Sequence, residues 1–248
     1  MSQRYKIVVE YDGTSLLGWQ KQLDGPSVQE FLEKAIFAFV QENVEVYGAG
    51  RTDAGVHALA QVAHFNLERQ VDIFRLKEAL NAHLRNMQAP VSVLNASLVD
   101  ENFHARFSAQ GRSYIYRITT RRAPLVLDKN RSWLVTVPLD VEKMREGAKY
   151  LLGHHDFTSF RAVKCQAKSP IKTLDKIEIS QVGENITFYV EARSFLHHQV
   201  RNIVGTLKLV GDGHLKPQDI QTILEAKDRR AAGPTAPACG LYLHNIMY

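Results

Sequence analysis

The sequence predicts an α+β fold of two related ferredoxin-like (split βαβ) halves whose antiparallel sheets form an extended sheet flanked by helices. Residues 1–106 make the first half and 107–248 the second. Three observations carry that expectation. Residues 6–96 read strand, helix, strand, strand, helix, strand, the split βαβ order. The second part repeats the order, although no residue-level repeat is visible. Finally, 45% apolar residues in a chain of 248 suffice for a proper core. A sheet with helices on one face leaves its other face free to bind something flat.

Residues 6–11 are a β-rich run, Ile7-Val8-Val9-Glu10-Tyr11, stopped by Asp12-Gly13, and Trp19-Gln20 follows in a loop. Ser27 and Glu30 form a capping box for a helix whose Val28, Phe31, Leu32, Ala35, Ile36 and Phe39 recur at helical spacing. Strands are expected at 44–47 and 62–67, with residues 48–61 as the loop between them. A helix over 72–84 rests on the spacing of Phe74, Leu76, Ala79, Leu80 and Leu84, and a strand over 91–96 follows Pro90.

In the second part, the run Ser113-Tyr114-Ile115-Tyr116-Arg117-Ile118-Thr119 alternates, placing Tyr114, Tyr116 and Ile118 on one side of a strand. Residues 121–131 are a basic, proline-containing loop, and β character resumes over 133–137. Residues 140–152 are helical through Val141, Met144, Ala148, Leu151 and Leu152, ended by Gly153. A long loop is expected over 153–172, strands over 173–180 and 186–192, and helices over 198–210 and 217–226, with Pro217 at the first helical position. Residues 240–248 close as a strand.

Thirty-one Lys and Arg against 26 Asp and Glu leave a formal charge of +5, which suits a polyanionic partner. Cys165 and Cys239 form no Cys-x-x-Cys pair, so neither a disulfide framework nor a thiolate zinc site is indicated, and a reducing cytoplasm is the expected setting. No run of about 18 apolar residues is present that could span a bilayer. The pairs His154-His155 and His197-His198 lack an acid or Cys at ligand spacing, and neighbours on a regular element diverge, so no metal is expected.

Residues 48–61 read Gly-Ala-Gly-Arg-Thr-Asp-Ala-Gly-Val-His-Ala-Leu-Ala-Gln, an Arg, an Asp and a His among three glycines and four alanines. Polar groups on so bare a backbone admit a large ligand. An ordinary turn, with Asp53 bonding its own backbone and Arg51 solvated, is the competing local reading.

The run Gly50-Arg51-Thr52-Asp53-Ala54-Gly55-Val56-His57 resembles the signature of the TruA family of tRNA pseudouridine synthases. Tyr11-Asp12-Gly13, Gly18-Trp19-Gln20, residues 103–108, 156–161, 195–205 and Gly240-Leu241-Tyr242 resemble the family as well. The resemblance implies that Asp53 is the catalytic acid and that Arg201 is the cation paired with it. It also implies that Tyr114 lies against the target uracil. Arg51, two positions before Asp53, can point the same way toward a phosphate or the gap left by a flipped base. His57 and the Phe103-His104-Ala105-Arg106-Phe107 run are read as structural support. The family further implies action on the anticodon stem-loop of tRNA at positions 38 to 40, no cofactor, and a homodimer holding one tRNA across a basic cleft. A non-catalytic RNA-binding protein, which has no need of Asp53, is the rival from another class; a metal-dependent hydrolase is disfavoured by the scattered acids.

Overall fold

The computed structural model describes residues 2–248, which divide into two compact units: one runs to Gln110 and includes Tyr242–Tyr248, the other is Gly111–Leu241. The first unit contains β1 (Gln3–Tyr11), α1 (Val28–Val40), β2 (Tyr47–Gly48), β3 (His57–Leu67), α2 (Ile73–Asn86) and β4 (Val91–Val99). Its sheet runs β4, β1, β3, with β2 on the far side of β3 and all these pairs antiparallel. That is the split βαβ order read from the sequence.

Register explains the burial. Tyr5 lies opposite Phe65 and Ile7 opposite Ala63, and these residues are sealed from solvent together with Leu32 and Ile36 of α1 and Leu76 and Leu80 of α2. Each such large apolar side chain contributes about 1.5–3 kcal/mol on burial. The alternate positions, Lys6 opposite His64 and Val8 opposite Val62, point to the other face. The helices start where capping predicts: Ser27 accepts from the Glu30 N–H at 3.2 Å and Asp72 from the Arg75 N–H at 3.0 Å.

Two expectations for this unit are corrected. The strand expected at 44–47 shrinks to Tyr47–Gly48, because the N–H of buried Val46 goes to the Glu33 carboxylate at 3.3 Å instead of a ladder partner. The helix-free face is also not open throughout. The segment after β4 crosses it, the Ala105 N–H donating to Nδ1 of buried His64 at 3.2 Å and the Tyr248 hydroxyl donating to the Ala105 carbonyl at 2.7 Å.

The second unit contains β5 (Gly111–Thr120), β6 (Trp133–Val135), α3 (Val141–Lys149), β7 (Gly153–Asp156), β8 (Ile171–Val182), β9 (Asn185–Ala192), α4 (Gln199–Gly211) and α5 (Asp219–Ala226). Its antiparallel sheet runs β5, β9, β8, β7, with β6 parallel on β5. As in the first unit, the second strand of a hairpin lies beside the strand that opens the unit. Tyr116, Ile118, Phe188 and Val190 bury one sheet face with Ile203, Val204 and Leu207 of α4. Part of the expected 153–172 loop is β7, whose His155 pairs with Lys172. Its Gly-His-His-Asp sequence has no β-branched residue, so propensity gave no sign of it. Helix α5 begins two residues after Pro217, ordinary latitude for a helix end.

The last strand, β10 (Leu241–Met247), pairs in parallel with the start of β3, Tyr242 against His57. Among the described residues no helix is long and apolar enough to cross a membrane.

Candidate functional site

In the first unit the stretch from Gly48 to Gln61 is loop only as far as Val56, since β3 begins at His57 and not at the expected residue 62, and it is held at both ends and in the middle by partners distant in sequence. At its start, a Cβ on Gly48 would stand 2.5 Å from the indole of Trp19, so only glycine admits that ring. The Ala49 N–H donates to the Val62 carbonyl at 2.8 Å, and the side-chain amide of fully buried Gln61 donates to the Gly50 carbonyl at 2.9 Å. In the middle, the Trp19 N–H donates to the Thr52 carbonyl at 3.1 Å, while Oγ1 of buried Thr52 and the Tyr11 hydroxyl share a hydrogen bond of 2.8 Å.

Thr52 thus turns into the protein, and its two neighbours turn away from it: Arg51 is exposed and Asp53 half-buried. The Val56 N–H donates to the Asp53 backbone carbonyl at 3.2 Å, and Gly55 has φ +78°, which is a turn with glycine where a positive φ is needed. That turn is closed by the backbone of Asp53. Gly50 faces open space on the same loop, which leaves room for a ligand beside Arg51.

His57 ends the loop inside the protein. The Gly13 N–H lies 3.0 Å from its Nδ1, and an Asp12 carboxylate oxygen lies 3.2 Å from the same nitrogen. The imidazole stacks on Tyr242 at 4.7 Å, and a Cβ on Gly13 would collide with the Val56 carbonyl at 2.1 Å. The Tyr-Asp-Gly turn after β1 is therefore part of what fixes the loop.

Tyr114 and Arg201 belong to the second unit. Tyr114 is half-buried on β5, and its ring and that of Phe195 meet edge to face at 5.1 Å and 90°. Tyr116, which shares its side of the strand by alternation, is fully buried and donates its hydroxyl to the Pro237 carbonyl at 2.8 Å, the ordinary fate of a core tyrosine. Burial raises its pKa further above the usual phenol range.

Arg201, on α4, is clasped from both sides by one residue. Its Nε donates to the Ala236 carbonyl at 2.7 Å and its own carbonyl accepts from the Ala236 N–H at 3.1 Å. The segment bearing Ala236 is itself locked onto α4. Buried Asn202 donates to the Phe160 carbonyl at 2.8 Å and accepts from Arg229 at 3.1 Å and Thr235 at 2.6 Å. Gly205 lets that segment lie close, since a Cβ there would sit 1.8 Å from the Pro234 carbonyl.

One inference about histidines is overturned. His197 and His198 do not diverge, because His198 adopts φ +62° just before α4 and brings the two rings within 4.0 Å. His154 and His155, on a true strand, part as expected: one meets Thr173 at 3.1 Å, the other the Leu152 carbonyl at 2.7 Å. Sequence reasoning missed the roles of Phe195, Asn202 and Arg229. Phe195 could have been found from its place in the 195–205 motif; the Asn202 network spans too much chain to be read locally.

Comparison with known proteins bears on what this arrangement serves. Residues 7–108 and 148–248 match the family described as tRNA pseudouridine synthase. A protein of Paramagnetospirillum magneticum named tRNA pseudouridine synthase A is 58% identical over 245 residues, covering 99% of this chain and 95% of its own. Relatives of the same name from Rhodospirillum centenum and Rhizobium meliloti are 54% and 50% identical, each over 99% of this chain and 100% and 99% of their own. Both halves of the sequence are matched, and the chain belongs to the tRNA pseudouridine synthase family.

Proposed function

We propose that the chain converts uridine to pseudouridine in the anticodon stem-loop of tRNA, at positions 38 to 40, with Asp53 as the catalytic carboxylate. The reaction breaks the bond from C1′ to N1, turns the base and joins C1′ to C5. Atoms and electrons balance within one nucleotide, so the chemistry calls for a carboxylate as nucleophile, base or stabiliser of sugar cation, and for no redox cofactor or metal. The observation that carries the reading is the placement of Asp53. It is half-buried, follows a side chain anchored inside the protein, and stands on a loop locked by Trp19, Tyr11 and Gln61.

The other roles follow from position and charge. Arg51, exposed beside Asp53, takes a phosphate or fills the gap left by an everted base. Tyr114, steadied by Phe195, offers its ring to the uracil. Arg201, with its guanidinium plane set by Ala236, supplies a cation to the substrate site. A cytoplasmic homodimer is the form in which the chain acts.

The test is incubation of purified protein with unmodified tRNA transcripts and mapping of pseudouridine at nucleotide resolution, with and without a chelator. Pseudouridine at 38 to 40, insensitive to the chelator, is the expected result. No pseudouridine in any transcript, or modification confined to another stem, overturns the assignment.

A further inference from the structure

Four rings in the first unit pack around buried His64 and reach solvent at Phe107 and at Tyr47, which also lies 5.8 Å from His104. Tyr47 stacks on buried His64 at 5.2 Å and 22°, His64 meets His104 edge-on at 4.7 Å, and His104 lies 4.4 Å from Phe107. Phe107 is 76% exposed. An exposed phenylalanine is unremarkable alone, and Phe74 on α2, 69% exposed, makes no ring contact among the described residues. Phe107 differs in being backed by the ring cluster and bordered by a cation. The Arg106 guanidinium lies 5.6 Å from its ring centre, and the Lys6 ammonium lies 5.7 Å and 5.9 Å from the rings of Phe103 and Tyr248.

We propose that this ring cluster is a second RNA contact of the chain, a platform on which one unpaired base of the tRNA stacks against Phe107 while the neighbouring phosphate meets Arg106. The proposal rests on tRNA being the substrate, and it adds a contact outside the reacting nucleotide. Seven residues of β3 separate His57, at the end of the Asp53 loop, from His64. At ~3.3 Å per residue that is about 23 Å. A base held at Phe107 is therefore a different one from the base at Asp53.

The platform is rigid before any ligand arrives, which removes ordering cost from binding. The His104 N–H donates to the Ser108 hydroxyl at 2.9 Å, the Ser108 N–H returns to the His104 carbonyl at 2.9 Å, and the Arg106 N–H donates to the His104 Nδ1 at 3.1 Å. Arg4 ties the preceding turn by donating to the carbonyls of Glu101 and Phe103. Acids also lie nearby: Glu45 accepts from the Tyr47 hydroxyl, Asp100 accepts from Asn102, and Glu101 is exposed. Burial and the neighbouring Arg4 hold His104 below its ordinary pKa, so it stacks as a neutral ring. Flat rings interleaved with cations fit a polyanion with exposed bases better than an apolar protein face.

The test compares the full chain with Phe107→Ala, Phe107→Leu and Phe107→Trp for tRNA affinity, single-turnover pseudouridine formation at saturating protein, and oligomeric mass. Because the side chain is exposed, all three variants fold. Stacking on one base is worth roughly tenfold or more in affinity. We expect Phe107→Ala and Phe107→Leu to weaken tRNA binding by about that factor, Phe107→Trp to restore it, and the saturated rate to stay within about twofold. Unchanged affinity in Phe107→Ala overturns the proposal, as does a loss of affinity that tracks a change in oligomeric mass, since the occupant is then a second copy. Wild-type protein that binds tRNA through Phe107 yet forms no pseudouridine defeats the catalytic assignment and leaves this contact standing.

Discussion

The indole of Trp19 occupies the space that a side chain on Gly48 would need, 2.5 Å from an ideal Cβ. The loop carrying Asp53 begins at that glycine, and Trp19 also reaches its middle through the Thr52 carbonyl. Gly48→Ala therefore has to push a buried ring away from the loop it supports. Stability should fall by about 1–3 kcal/mol, the usual cost of overpacking, and pseudouridine formation should fall with it. Urea unfolding and single-turnover assays check both. Wild-type stability in the variant would show that Trp19 moves at no cost.

Much of the fold could be read from the sequence because its elements repeat locally. The helix beginning at Val28 shows its apolar spacing and its Ser27 cap within one stretch of chain. β2 and β7 were misjudged because distant residues decide them: Glu33 takes the Val46 N–H from β2, and β7 exists only by pairing with β8. The same division runs through the site. Asp53 and Arg51 stand in a contiguous motif and were legible, whereas the Tyr11 hydroxyl that anchors Thr52 lies 41 residues away. No local pattern encodes such a partnership.

Asp53→Asn keeps the shape of the side chain and removes its charge. If that carboxylate performs the chemistry, the single-turnover rate drops by at least about a thousandfold, while tRNA affinity changes by less than about threefold. Filter binding beside pseudouridine mapping separates the two effects. Activity persisting in both Asp53→Asn and Asp53→Ala would remove Asp53 from the reaction.

Asn202 holds three partners at once, and through the Arg229 and Thr235 contacts it fastens the segment whose Ala236 orients Arg201. Asn202→Leu strands a buried carbonyl and two donors, each unmet group costing about 1–3 kcal/mol. The variant should be strongly destabilised. Asn202→Asp, which keeps an acceptor for Arg229 and Thr235 but loses the donor to Phe160, should be milder and should retain more activity. Equal stability for the two variants would mean that the Arg229 and Thr235 contacts contribute nothing.

His64 gives the fold a pH dependence of defined sign. Its imidazole is buried under residues 103–107, and burial first, then the neighbouring His104 and Arg4, push its pKa down from 6.5 to about 4. The unfolded chain therefore binds a proton that the folded chain refuses between those values. By linkage, the stability from keeping this ring neutral is complete above pH 6.5 and is lost as pH falls through 6.5 toward 4. Between pH 7 and pH 5 the loss should be roughly 2 kcal/mol at most. Few carboxylates titrate in that window, but His104, also held below its ordinary pKa, adds a loss of the same sign, so in urea unfolding at the two pH values the His64 share is the part that a His64 variant removes. His64→Gln, which cannot take up the proton, should shrink the difference, and an equally steep loss in that variant would move its origin to another group.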